Sequence, residues 1–230
     1  MTARNHDSDL DRTKYDGTEH ADSAGPGGTI VYYVAQSLDG FIADEAGGID
    51  WLLSFGFDEF QAHYDAFIAG VGAVIMGGET FRWLAAAGEP WPYPDMPCWV
   101  VSRSALPAFP GATYTATSAH PRDIAAAARS AAGARAVWML GGGITAARFA
   151  DAGALDELRI TIMPVTLGRG AAVLPHGGTP RHWKVTGTTS FASGAVELRY
   201  RAVRAATPGV PIPDAPAAAA PGRAPSQPDA

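Results

Sequence analysis

Five short apolar runs, bounded by glycine or proline and separated by longer stretches of helical spacing, restrict this chain more than any other feature. They are TIVYYVAQ (29–36), GAVIMG (72–77), PCWVVSR (97–103), AVWML (136–140) and LRITIMPVTLG (158–168). Each is short, rich in branched and aromatic residues, and apolar at consecutive positions, the pattern of a strand covered on both faces. Between them, residues 57–70 place Phe60, Tyr64, Phe67 and Ile68 on one helical stripe, with Ser54 or Asp58 as the expected cap. Residues 120–133 carry Pro121 near the first turn and end on Gly133, and residues 143–153 end on Gly153, as helices tend to. Residues 181–203 read as two strands turning at Ser193-Gly194.

Strands that alternate with helices need right-handed crossovers. The expected fold is therefore α/β, a mainly parallel central sheet with an antiparallel C-terminal edge and helices on both faces. One domain over residues 29–205 is long enough to bury its own core without a disulfide or metal. The flanks differ in composition. Residues 1–28 carry almost nothing apolar, and residues 206–230 form a Pro/Ala-rich tract, so both read as disordered tails.

Charge and cysteine content exclude several functions. A net charge of −6 gives no basic face for a phosphate backbone, so nucleic acid is not an expected partner. Cys98 is the only cysteine, which rules out an intramolecular disulfide; it reads as a small apolar strand residue in a reducing compartment. No apolar stretch of signal-peptide or membrane-spanning length is present, and a cytoplasmic location is expected. His6 and His20 are scattered and make no coordination set, so no metal is expected.

In open α/β sheets ligands bind beyond the carboxyl ends of strands, and three strand ends stand out. The first is VWMLGGGITAARF, where Gly141, Gly142 and Gly143 let the backbone approach a phosphate and Ile144 and Thr145 start a helix with free N–H groups. It lacks the G-x-G-x-x-G spacing and the following acid of a Rossmann fingerprint. The second is VIMGGETFRWL, with Gly77, Gly78 and Thr80, whose hydroxyl either meets a phosphate or caps the helix. The third is WVVSRS, where Ser102 and Arg103 either grip the 2′-phosphate of NADP or face solvent.

The order SLDGFIA, DW, GGETF, a Trp/Pro-rich loop, WVVSR, VWMLGGG and LDELRITIMPVTLGRGAAVLP resembles the dihydrofolate reductase-like superfamily. More closely, it is similar to stand-alone relatives of the C-terminal reductase domain of the bifunctional riboflavin-biosynthesis deaminase/reductase, over residues 29–203. The resemblance implies an NADPH cofactor, with NADH possible, and a hydride passed to a small pterin- or flavin-precursor-like ring. It places the backbone of Ala35 and the ring of Trp51 at the nicotinamide, and Gly77 and Thr80 at the pyrophosphate. It gives Ser102 and Arg103 to the adenosine phosphate and Gly141, Gly142, Gly143, Ile144 and Thr145 to a second phosphate loop.

Asp39, within SLDG, is expected either to hold a catalytic water or to form its turn. True folate reductases carry a carboxylate five or six residues after the tryptophan; that count from Trp51 falls on Gly56 or Phe57, and Asp58 just beyond is the expected acid, or else a helix cap. The riboflavin-pathway enzymes carry an Arg where this chain has Ile68 and a Glu where it has Leu140, which disfavours their ribityl-phosphate substrate. The competing expectations are a non-catalytic nucleotide-binding module and a folate reductase proper. The resemblance also implies a homodimer.

Overall fold

The computed structural model describes residues 28–175, 178 and 180–204. The two expected tails, Gly28 apart, lie outside the described residues.

The chain opens with β1 (Ile30–Ser37), β2 (Phe41–Ala43), α1 (Asp50–Leu53), α2 (Asp58–Ile68) and β3 (Val71–Gly77). It continues through α3 (Gly78–Ala86), β4 (Cys98–Val101), β5 (Thr115–Thr117), α4 (Pro121–Ala132), β6 (Ala136–Gly141) and α5 (Gly143–Asp151). It closes with β7 (Glu157–Met163), β8 (Ala171–Ala172), β9 (Trp183–Ser190) and β10 (Val196–Ala202). One sheet runs β5-β4-β3-β6-β1-β7-β10-β9, and β2 pairs with β8 apart from it. From β5 to β7 every pairing is parallel, whereas β10 is antiparallel to both β7 and β9. The expected parallel sheet with an antiparallel C-terminal edge is what forms.

Alternate residues of the strands feed two cores. Ile30 and Tyr32 of β1 pack with Ile124 and Ala128 of α4 and Phe149 of α5, while Val31 packs on the other face with Phe67 of α2 and Phe81 of α3. β3, near the sheet centre, is buried at every position, so its consecutive apolar residues serve both cores. Full burial of a Phe81 or Phe149 ring is worth about 1.5–3 kcal/mol. α4 carries the expected end signals: Pro121 at its first turn, the His120 ring accepting from Arg122 N at 3.2 Å, and Gly133 at φ 64° after its last residue.

Several expectations need correction. The run 158–168 is a strand only to Met163; Pro164 follows, and Val165 N turns back to Met163 O at 2.8 Å. Neither Ser54 nor Asp58 caps α2. Its N-cap is Phe57 without a side-chain bond, and the Ser54 hydroxyl donates to Trp51 O at 2.7 Å. β5, β2 and β8 lack a sequence signal because they are only two or three residues long, and β5 and β8 are also polar or small.

A concavity of about 350 Å³ lies at the amino-terminal end of the sheet, lined by Thr29, Gly70, Ala134 and Glu157 among others. It is at the opposite end from the three glycine or hydroxyl junctions. No helix among the described residues is long and apolar enough to cross a membrane.

Candidate active site

Parallel pairing of β4, β3 and β6 sets their carboxyl ends side by side, and the glycines there let the junctions touch. A Cβ on Gly77 would lie 2.5 Å from Thr145 Oγ1 and 3.5 Å from Gly142 N. One on Gly78 would lie 2.8 Å from Ser102 Oγ and 3.2 Å from an Arg82 guanidinium nitrogen. Cβ atoms on Gly141 and Gly142 would meet Thr80 Oγ1 at 3.6 and 3.8 Å. The two glycine turns therefore face each other, with the hydroxyls of Thr80, Thr145 and Ser102 between and beside them. Gly141 sits at φ 139°, which only glycine adopts readily, and a cis peptide joins it to Gly142.

Backbone donors concentrate at the same place. The N-caps of α3 and α5 are Gly77 and Gly142, and neither helix has a side-chain cap. In α5 the Thr145 N–H already donates to Gly142 O at 3.0 Å, but no side chain covers either helix start, and two helix starts facing one space favour an anion. Arg103 is exposed and without a partner among the described residues. The Ser102 hydroxyl donates to Ser104 O at 2.9 Å.

Arg82 is a neighbour that sequence reasoning missed. It pairs with Glu79 at 2.7 Å and donates to Ala105 O at 3.1 Å, tying α3 to the loop that carries Ser102 and Arg103. The Glu79/Arg82 spacing on one helix was the available signal. Ile144 is 66 % exposed in the first turn of α5. Ala35 lies near the carboxyl end of β1, next to β7. Nε1 of Trp51 is buried without a protein partner, as are Gln36 Oε1 and Trp91 Nε1.

Of the two acids, Asp39 makes the turn contacts that were one of its two expected roles. The Asp39 carboxylate accepts from the Ser37 hydroxyl at 2.6 Å, from Leu167 N at 3.1 Å and from Gly168 N at 2.6 Å. These bonds, the Ser37 hydroxyl foremost, hold its pKa down to about 2. Asp39 is thus ionised at neutral pH and ties the turn after β1 to the loop after β7; it is not a proton donor. Asp58 is exposed at the start of α2 and makes no hydrogen bond among the described residues, so no contact there supports either role expected of it. Its neighbour Glu59 accepts from Ser193 N at 3.1 Å, and its pKa is lowered by hydrogen bonds from Ser193. Ile68 and Leu140, where the riboflavin-pathway enzymes carry Arg and Glu, both pack against one apolar core.

A charged cluster that the sequence did not disclose lies between α2 and the far side of the sheet. Glu197 of β10 is 0 % exposed, with His63 of α2 at 2.7 Å and Arg159 of β7 at 3.1 Å. Arg159 also lies over the Tyr33 and Phe67 rings, at 4.9 and 5.1 Å. Burial, followed by the Glu197 charge, pushes the Tyr33 hydroxyl up to about 12. The partners are separated by 134 and 38 positions, so no local motif could reveal them. The only trace was charge recurring at alternate positions in ELRITIM and VELRYRA.

Comparison with known proteins matches this arrangement. The RibD C-terminal domain family matches residues 28–196. The Bacillus subtilis (strain 168) protein YwjB is 32 % identical over 174 residues, which are 74 % of this chain and 95 % of that protein. A protein from Shewanella sp. PV-4 that is assigned to riboflavin biosynthesis superposes with a TM-score of 0.66 at 24 % identity, covering 76 % of this chain and 99 % of that one. Dihydrofolate reductase from Enterococcus faecalis, solved with NADP(H), superposes with a TM-score of 0.56 at 17 % identity, over 76 % of this chain and 97 % of that one. With its six parallel strands, antiparallel closing hairpin and paired glycine junctions, the chain has the dihydrofolate reductase-like fold and belongs to the RibD C-terminal domain family.

Proposed function

We propose that this protein is an NADPH-dependent reductase that transfers a hydride to a small, flat heteroaromatic substrate. The observation that carries the reading is the meeting of three strand ends at one place: Gly77 against Thr145, Gly78 against Ser102, and Thr80 against Gly141. The residues fit the cofactor. Two helix starts without side-chain caps and three hydroxyls suit a pyrophosphate, and the exposed Arg103, unpaired among the described residues, suits a 2′-phosphate. The buried, unpartnered Trp51 N–H is a donor that a carboxamide or ring carbonyl would satisfy. When bound, the reduced nicotinamide supplies the hydride. The chain's part is to hold the ring near Ala35, to exclude water with the apolar side chains around it, and to fix the substrate against the face that α2 covers.

Fluorescence titration with NADPH and NADH tests the cofactor, and stopped-flow mixing with pterins, flavins and quinones tests transfer. Micromolar NADPH binding with oxidation by one of these acceptors supports the proposal; dissociation constants above about 1 mM for both nucleotides overturn it. A second reading, a nucleotide-binding module without catalysis, is favoured by one observation, that neither Asp39 nor Asp58 is set up to deliver a proton. NADPH binding without oxidation by any acceptor would select it. The proposal includes a homodimer through the β9 edge of the sheet, which sedimentation of the full chain would test.

A further inference from the structure

We propose that His63 is the specificity-determining residue of the substrate end, accepting a hydrogen bond from a ring N–H on the edge of a fused heteroaromatic substrate, with Glu197 and Arg159 as its positioning residues. This rests on the reductase reading above.

The strand register places the cluster. Ala35 of β1 pairs with Thr161 of β7, and Thr161 pairs with Glu197 of β10, so the three lie in one row across the sheet. Tyr33, two residues before Ala35 and on the same side of the strand, touches Phe67 of α2 at 4.6 Å. Adjacent strands are about 4.8 Å apart, so the row runs about 10 Å from Ala35 to Glu197, roughly the reach of a two-ring heterocycle. A substrate stacked beside a nicotinamide at Ala35 and extending along this row ends at His63.

The hydrogen bonds fix which ring nitrogen it meets. His63 Nε2 lies 2.7 Å from Glu197 Oε2 and 2.8 Å from an Arg159 Nη nitrogen. Glu197 is fully buried and accepts only, while Arg159 already donates to Glu197 Oε1 through Nε at 3.3 Å and Nη2 at 3.1 Å. Arginine only donates and a carboxylate only accepts, so Nε2 can serve one of the two; we take Nε2–H as donating to the carboxylate, which leaves Nδ1 as the acceptor. Nδ1 has no partner among the described residues, and the ring is partly exposed, so Nδ1 is open to a ligand.

The groups facing the ring are Tyr33 of β1, Arg159 of β7, Glu197 of β10 and Phe191 after β9, with Arg199 3.7 Å from Glu197. A buried ion pair adds little to stability over an apolar replacement, but it does hold a histidine in one tautomer. A carboxylate that orients one imidazole nitrogen so that the other faces the ligand is a recurrent device.

The test uses lumazine, a fused two-ring pyrimidinedione with ring N–H groups, and 1,3-dimethyllumazine, which lacks those on its pyrimidine ring. Both are titrated by fluorescence into the full chain with NADP⁺ present. Lumazine is expected to bind about tenfold tighter than the dimethyl compound, the value of one hydrogen bond. His63→Ala removes the difference, and His63→Asn, whose amide oxygen can take the place of Nδ1, restores part of it. Nitrogen NMR of the wild-type ring is expected to show the Nε2–H tautomer. Equal affinity for the two probes in the wild type, or a preference that survives His63→Ala, overturns the proposal. NADPH titration of the same variants is expected to match the wild type. If NADPH fails to bind while the lumazine preference holds, the cofactor reading falls and the His63 site stands.

Discussion

The glycine junctions and the His63 cluster are built on opposite principles. Around β3 and β6 the surface is backbone: glycines at the strand ends, helix N–H groups without side-chain caps, and short hydroxyls. Around α2, β7 and β10 it is long charged side chains folded against aromatic rings, with a wholly buried carboxylate at the centre. The first kind of surface suits a ligand with fixed, repeated chemistry such as a diphosphate, because amide positions are set by secondary structure. The second kind is readily changed by substitution, because each of its contacts is made by a side chain.

Substitutions in the two regions should therefore fail in different ways. The largest effect is expected from Glu197→Ala, which leaves Arg159 and His63 without their buried acceptor; loss of one partner of such a pair costs about 3–5 kcal/mol, measured by urea unfolding. Glu197→Gln should cost less. If Glu197→Ala were as stable as wild type, the cluster would not be a structural unit and the contrast would disappear.

Gly77→Val comes next. Its side chain enters the space of Thr145 Oγ1, 2.5 Å from the first added carbon, and NADPH affinity should fall by about 100-fold, or about 2.7 kcal/mol, with far-UV circular dichroism little changed. His63→Ala should leave that affinity alone. Arg103→Ala is expected to weaken NADPH by about tenfold, one charge-assisted bond, while NADH is unaffected; equal losses for both would remove Arg103 from the 2′-phosphate.

The smallest effect concerns pH. Asp39 has its carboxyl pKa lowered from 3.8 to about 2 in the folded chain, so it stabilises the fold above pH 3.8, and that contribution is lost as pH falls toward 2. Asp39→Asn should flatten this part of the melting-temperature profile between those values and change little at pH 7.

The legible part of the molecule is the part made by neighbours in sequence. Strand, glycine and helix start follow one another at Gly77 and at Gly141, so one reading of the chain identifies each junction and its donors. The parallel pairing, though not the strand order, followed from helical crossovers. For Asp39 the sequence left a water-holding and a turn-forming role open, because its contacts to Leu167 and Gly168 are 128 and 129 positions away. Asp58 was chosen by counting from Trp51, but which residue of a helix faces the sheet is set by the helix's rotation and packing. His63 lies on that inward side, and nothing near it in sequence points to Glu197.

The tie between Asp39 and the Leu167–Gly168 backbone also bears on engineering by loop exchange. The turn after β1 and the segment after β7 are latched by one carboxylate whose acceptor sites are filled from both sides. A graft that transplants either segment alone from a relative would separate the latch from its catch. The two must travel together, as a single cassette, for a chimera of this fold to keep the shape of its entrance.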